Sequence, residues 1–233
     1  MANHLDLEEQ EQLDELKHFW KTYGNLITWA LIAVFGAIAA WNGYQFWQRS
    51  QATQAAALFD EVDRSAQAGD VARLERSFSD MKDKFGGTTY AQQAAFMAAK
   101  VFFEKDKPDA AKTALVWVAE KSSDTGYSAL AKLRLVSLLV SQKAYDEALK
   151  YLSGSFPKEF DSLVADRKGD VFSLQGKKPE AIAEYEKAYK LFGSQTEYRR
   201  LVEVKLGALG VDPLAGKGMP TQVAGSAAAG DKK

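Results

Sequence analysis

Residues 162–193 read SLVADRKGDVFSLQGKKPEAIAEYEKAYKLFG, and their spacing decides how the rest of the chain is read. Apolar and small side chains recur every three to four residues on both sides of Gly176-Lys177-Lys178-Pro179, the pattern of two amphipathic helices joined by a tight turn. Gly169 is followed three residues on by Phe172, nine further on by Ala181, and then by Tyr185 and Ala188. A small residue lets the two helices of a hairpin approach closely, and a ring a turn away fills the gap beside it.

The same arrangement recurs upstream. Val136, Leu139, Ala148 and Leu152 take equivalent places, with Ala148 lying 33 residues before Ala181. Ala99, Phe102, Ala111, Leu115 and Val118 fit as well, after an insertion of about four residues. The turns match too: Lys107-Pro108-Asp109-Ala110-Ala111, Ala144-Tyr145-Asp146-Glu147-Ala148 and Lys178-Pro179-Glu180-Ala181. These spacings are those of the tetratricopeptide repeat, in which each hairpin leaves an apolar face that only the next can cover. Residues 50–67 and 70–85 read as a more divergent leading hairpin whose first helix continues from the segment before it. Residues 195–209 read as a closing helix, polar on one side. No strand pattern appears. The expectation is an all-α chain with an α-solenoid of helix hairpins and a C-terminal capping helix; the alternative is an irregular, alanine-rich helical bundle.

Ahead of the repeats, no charged side chain occurs between Lys21 and Arg49. As a helix rising ~1.5 Å per residue, Leu26 to Trp47 covers roughly 33 Å, the thickness of a bilayer's hydrocarbon core. Trp20 and Tyr23 flank one end and Trp41, Tyr44 and Trp47 the other, where rings with one polar edge favour the membrane interface. This reads as a transmembrane anchor. Ala37-Ile38-Ala39 has the form of a signal-peptide cleavage site, but residues 1–21 carry six acids against Lys17 and Lys21, the opposite of a basic leader. A buried helix of a globular domain is the other alternative, and it ranks below the signal peptide because the segment is apolar on every face. Lys17 and Lys21 on the amino side against Arg49 on the other lean towards a cytoplasmic amino terminus, by one charge. The chain therefore divides into an acidic tail (1–21), a transmembrane helix (22–48), a helical repeat domain (49–210) and a Gly/Ala-rich tail (211–233) with too little apolar surface to fold.

Composition removes most chemistry. Cysteine is absent, which excludes disulfides, thiolate catalysis and cysteine metal sites. Histidine occurs only at His4 and His18, so the repeat domain lacks the usual general base and transition-metal ligand. No phosphate-cradling glycine loop is present. Setting aside the acidic tail leaves 28 basic and 25 acidic residues, too balanced and dispersed for a nucleic-acid footprint. Asp166 and Asp170 share a helix face at i, i+4, which leaves a carboxylate-only hydrolase as the one enzymatic alternative. We expect no enzyme, no cofactor and no metal.

Binding is the remaining role, and the repeat register indicates where. The first helix of each hairpin lines the concave face of such a solenoid. Its outward positions are Gln93, Phe96, Lys100, Phe103 and Glu104 on one hairpin. Leu130, Leu133, Ser137 and Val140 follow on the next, then Asp166, Asp170 and Ser173. These form either a protein-binding groove or a face the chain covers with its own helices. In the anchor, Ala33, Gly36, Ala37, Ala40 and Gly43 recur at three and four residues, a stripe that would let another membrane helix approach closely.

Four further motifs follow in a set order and spacing: Phe19-Trp20-x-x-Tyr23-Gly24-Asn25, Trp41 through Trp47-x-x-Ser50-Gln51, Tyr90-Ala91 with Ala94, and Val164-Ala165-Asp166-x-x-Gly169-Asp170. Through them the sequence resembles, over residues 13–210, a bacterial family, the YfgM-like ancillary subunits of the Sec translocon. The resemblance implies a single-pass protein of the bacterial inner membrane, with the amino terminus in the cytoplasm and the repeat domain in the periplasm. It further implies partners: the Sec translocon, a membrane-anchored chaperone of the peptidyl-prolyl isomerase type, and exported unfolded chains passed on to periplasmic chaperones. A membrane-tethered scaffold for another envelope assembly, in biogenesis or division, is the alternative role.

Overall fold

In the computed structural model, residues 7–193 and 197–213 are described; their regular structure is all helical, without a strand among them. His4 and Asp6 of the acidic tail, residues 195–196 of the expected closing helix, and the Gly/Ala-rich tail from residue 214 lie outside the described residues. Nine α-helices and one 3₁₀ turn follow in order among the described residues. They are α1 (Leu7–Ala68), α2 (Val71–Phe85), α3 (Thr89–Glu104), α4 (Pro108–Lys121), α5 (Thr125–Ser141), α6 (Tyr145–Leu152), a 3₁₀ turn (Lys158–Phe160), α7 (Asp161–Leu174), α8 (Lys178–Leu191) and α9 (Glu197–Ala208). The chain forms two compact units that divide within α1, after Leu58.

The first unit is the amino-terminal part of α1. It holds the one stretch among the described residues that is long and apolar enough to cross a membrane. Leu26, Trp29, Phe35, Trp41 and Phe46 are all widely exposed, as lipid-facing side chains would be. Tyr44 lies between Trp41 and Trp47, at 6.5 and 6.2 Å between ring centres, so the aromatic rim is one contiguous patch.

The second unit, from Phe59, stacks helices pairwise in chain order, and its turns explain how. At Gly69, Asp106, Lys143, Gly176 and Gly210 the backbone adopts a positive φ of 57–80°. Each is followed by the same pair of hydrogen bonds, for example Asp106 N–H to Phe103 C=O at 3.1 Å and Lys107 N–H to Phe102 C=O at 2.8 Å. This Schellman geometry closes α1, α3, α5, α7 and α9 alike and satisfies carbonyls that a helix end leaves bare. The turn residues are spaced by 37, 37, 33 and 34 residues, so the repeat is written in the backbone as well as in the side chains.

Helix starts are equally local. Asp70, Thr88 and Asp124 cap α2, α3 and α5 by accepting from backbone N–H groups two or three residues ahead. Pro108 and Pro179 sit in the first turns of α4 and α8, where a missing N–H costs nothing. Within each hairpin the small positions are buried: Ala99 with Ala111 and Leu115, Val136 with Ala148 and Leu152, Gly169 with Ala181 and Tyr185. Trp117 meets Phe78 edge-on at 6.1 Å, so this tryptophan serves the core rather than the membrane. The recurring turn and stacked pairs are those of a tetratricopeptide-like solenoid, not an irregular bundle.

α9 closes the stack. Val202 and Leu206 are fully buried in a cluster with Ala165, Ala181, Tyr185 and Ala188. α9 ends as the first helix of a repeat does. Yet Glu203 occupies the register place held by Val62, Ala99, Val136 and Gly169, where a following helix would need a small or apolar side chain. Among the described residues the stack ends here.

Candidate protein-binding groove

The expected groove positions divide into an open part and a closed one. Between α3 and α5 lies a cavity of about 380 Å³, lined in part by Phe96, Lys100, Phe103, Leu115, Arg134 and Ser137. Four of these six lie at positions expected from the register; Leu115 and Arg134 do not. Phe103 is 50% exposed, an unusual state for a phenylalanine in a folded helical domain. Phe96 forms the floor at 8% exposure, stacked on Tyr127 at 6.1 Å. Arg134 covers Phe96, with its guanidinium carbon 4.5 Å from the ring centre. Lys100 is exposed and reaches Glu104 at 3.9 Å, a loose surface pair.

The other α3 and α5 positions are unequal. Gln93 is exposed and donates to the Tyr127 hydroxyl at 3.2 Å, which bridges the two helices at the cavity's edge. Leu130 is partly exposed, Val140 is half-buried, and Ser137 donates to the Leu133 carbonyl at 3.2 Å. Leu133 is buried in the core, so it does not stand outward as its register place implied.

On α7 the arrangement differs. Asp166 is 0% exposed and Asp170 is half-buried, because α9 brings Lys205 onto both: its Nζ donates to Asp166 Oδ1 and Asp170 Oδ1 at 2.7 Å each. Tyr185 on α8 donates to the same Asp170 oxygen at 2.8 Å, and Arg167 donates to Asp170 Oδ2 at 3.1 Å. Burial pushes the Asp166 carboxyl above its ordinary 3.8, while the Lys205 hydrogen bond draws it back down. Burial, then the Asp170 hydrogen bond, raises the Tyr185 hydroxyl well above its ordinary 10.0. The reading of Asp166 and Asp170 as outward groove residues is therefore corrected. They form an internal ionic latch under the capping helix, and of the α7 positions only Ser173 remains exposed.

Arg134 is the residue that the register reading missed. It lies one position past Leu133, and the only sequence signal for it is that it is the sole arginine of α5. In the anchor, a side chain at Gly36 or Gly43 would meet nothing within 4 Å, and Ala33, Ala37 and Ala40 are exposed beside them.

An apolar span and a capped stack of helix hairpins define a membrane-anchored, tetratricopeptide-like protein. A family model described as a tetratricopeptide repeat-like domain matches residues 17–211. The "Ancillary SecYEG translocon subunit" of Neisseria gonorrhoeae is 33% identical over 90% of this chain and 100% of its own length. Proteins of the same name from Haemophilus influenzae and Escherichia coli are 29% and 24% identical, over 87% and 78% of this chain and 98% and 87% of their own lengths. The chain belongs to this family of ancillary SecYEG translocon subunits.

Proposed function

We propose that this protein is an accessory subunit of the Sec translocon in the bacterial inner membrane, acting as an adaptor that helps pass exported chains to periplasmic chaperones. The observation that carries the reading is an open, phenylalanine-bearing cavity in a capped repeat domain whose chain also supplies a membrane span. Exposed apolar surface framed by charge suits protein segments. The Asp166–Asp170 pair supports no hydrolase. Asp166 is shut away from water, and both carboxylates are tied to the single ammonium of Lys205.

In this reading the amino terminus is cytoplasmic and the repeat domain periplasmic, in line with Lys17 and Lys21 flanking the amino side of the span. A membrane-anchored peptidyl-prolyl isomerase-type chaperone shares the complex. The Ala33, Gly36, Ala37, Ala40 and Gly43 stripe is a face for a neighbouring membrane helix.

Two measurements test this. The full chain, solubilised gently from membranes, should bring the translocon channel with it. Protease added to intact spheroplasts should digest the repeat domain while leaving the amino-terminal tail protected. Digestion only after the inner membrane is opened would sink the proposed orientation and the adaptor role with it.

A further inference from the structure

The α3/α5 cavity carries a charge that the described residues leave unmatched. Arg134 is held by its contact with the Phe96 ring, and among the described residues no carboxylate lies within ion-pair distance of it. Its guanidinium N–H donors are committed to no side chain. Lys100, on the facing helix, has only the loose contact with Glu104, and both partners of that pair are mostly exposed. Two cations thus frame an apolar floor and wall made by Phe96, Phe103 and Leu115.

This combination restricts what can cover it. An occupant that buries Phe103 also takes Arg134 out of water, and a desolvated guanidinium without a counter-charge is strongly unfavourable. A neutral apolar segment therefore meets a penalty here, and a basic one a larger penalty. A carboxylate removes the penalty, because the guanidinium fork accepts it with two parallel hydrogen bonds.

We propose that the cavity docks a partner-protein segment in which an aromatic or aliphatic side chain stands close to an aspartate or glutamate. The apolar group packs on Phe103, and the carboxylate takes Arg134, with Lys100 as a second attractive charge. This rests on the reading that the repeat domain works by binding proteins, and it adds which segments it selects.

The test uses the full chain in detergent and three short fluorescein-labelled peptides built around one Phe-Leu pair. The first carries Glu and Asp beside the pair and an amidated end. The second has Gln and Asn in their place and is also amidated. The third matches the second but has a free terminal carboxylate. The acidic peptide should bind about tenfold more tightly than its amide twin, as expected for one charge-assisted pair. Arg134→Gln should bring the two within about twofold, Arg134→Lys should keep part of the difference, and Phe103→Ala should weaken both. Unchanged helical circular dichroism would show that the variants fold.

Equal binding of the acidic and amide peptides would overturn the proposal, as would a preference that survives Arg134→Gln. Binding confined to the free-carboxylate peptide would overturn it in favour of a chain-terminus site. Any of these leaves the translocon reading standing, because co-purification with the channel tests that separately. Loss of co-purification with the peptide preference intact would sink the functional reading and uphold the cavity chemistry.

Discussion

Gly169 gives up its side chain to the ring of Tyr185: a Cβ placed at 169 would lie 2.5 Å from Tyr185 Cδ1 and 2.6 Å from Cε1. The ring has no room to retreat, because its hydroxyl is tied to Asp170 and its face lies under Lys205 at 5.3 Å. One missing methyl group thus joins α7, α8 and the cap. Gly169→Ala should lower stability by about 1–3 kcal/mol, the usual cost of overpacking a filled site. Gly207→Ala, where a Cβ meets nothing within 4 Å, should leave stability unchanged or slightly raised. Paired thermal melts of the two variants would check the contrast.

Removing Lys205 should free the cap. Lys205→Met leaves Asp166 fully buried beside Asp170 with no cation on it, and Asp166 Oδ2 already lacks a partner. Breaking such a pair from one side costs about 3–5 kcal/mol. Hydrogen exchange should show α9 opening first. Adding Asp166→Leu should recover most of the loss, since the stranded charge is then gone.

The Tyr185 hydroxyl makes the latch sensitive to alkali. Its ionisation is raised in the folded state, so the unfolded chain loses this proton first, near 10.0. The stabilisation is complete below that pH and disappears as pH rises above it. Denaturant midpoints of the wild type should therefore fall between about pH 9.5 and 11 more steeply than those of Tyr185→Phe. Parallel curves would argue that the phenol plays no such part.

Phe103 and Phe96 should separate function from stability. Phe103→Ala removes a half-exposed ring and should change stability by less than about 0.5 kcal/mol. Phe96→Ala removes the cavity floor, stacked between Tyr127 and Arg134, and should cost about 3–5 kcal/mol. A photoreactive side chain at Ser137, across the cavity, should then crosslink less to its neighbours in intact membranes when Phe103 is alanine, although the fold is unharmed.

The anchor offers a separate test. Gly36→Leu with Gly43→Leu adds bulk where α1 itself has open space, so membrane insertion should persist. Co-purification with the translocon should drop if those glycines admit a neighbouring helix.

Much of this architecture is local, and the residues that encode it are readable in order. Gly176 and Gly69 favour the positive φ of a Schellman turn, and Pro108 and Pro179 start helices. The uncharged run to Arg49 needs only length and hydropathy to be read as a span. Asp106 and Lys143 adopt the same turn without being glycine, which the repeat spacing betrays and the residue type does not.

What stayed hidden depends on contacts between distant parts of the chain. Helices, turns, the apolar span and the repeat register are legible in the residues alone, because propensity and hydrophobic periodicity act within a few positions. Which part of the expected groove stays open depends on contacts made across the fold. Lys205 meets Asp166 and Asp170 across 39 and 35 residues and closes the α7 end, while nothing from the described chain covers Phe103 and Arg134. Two acids at i, i+4 look alike whether solvated or latched; a cation arriving from another helix makes the difference.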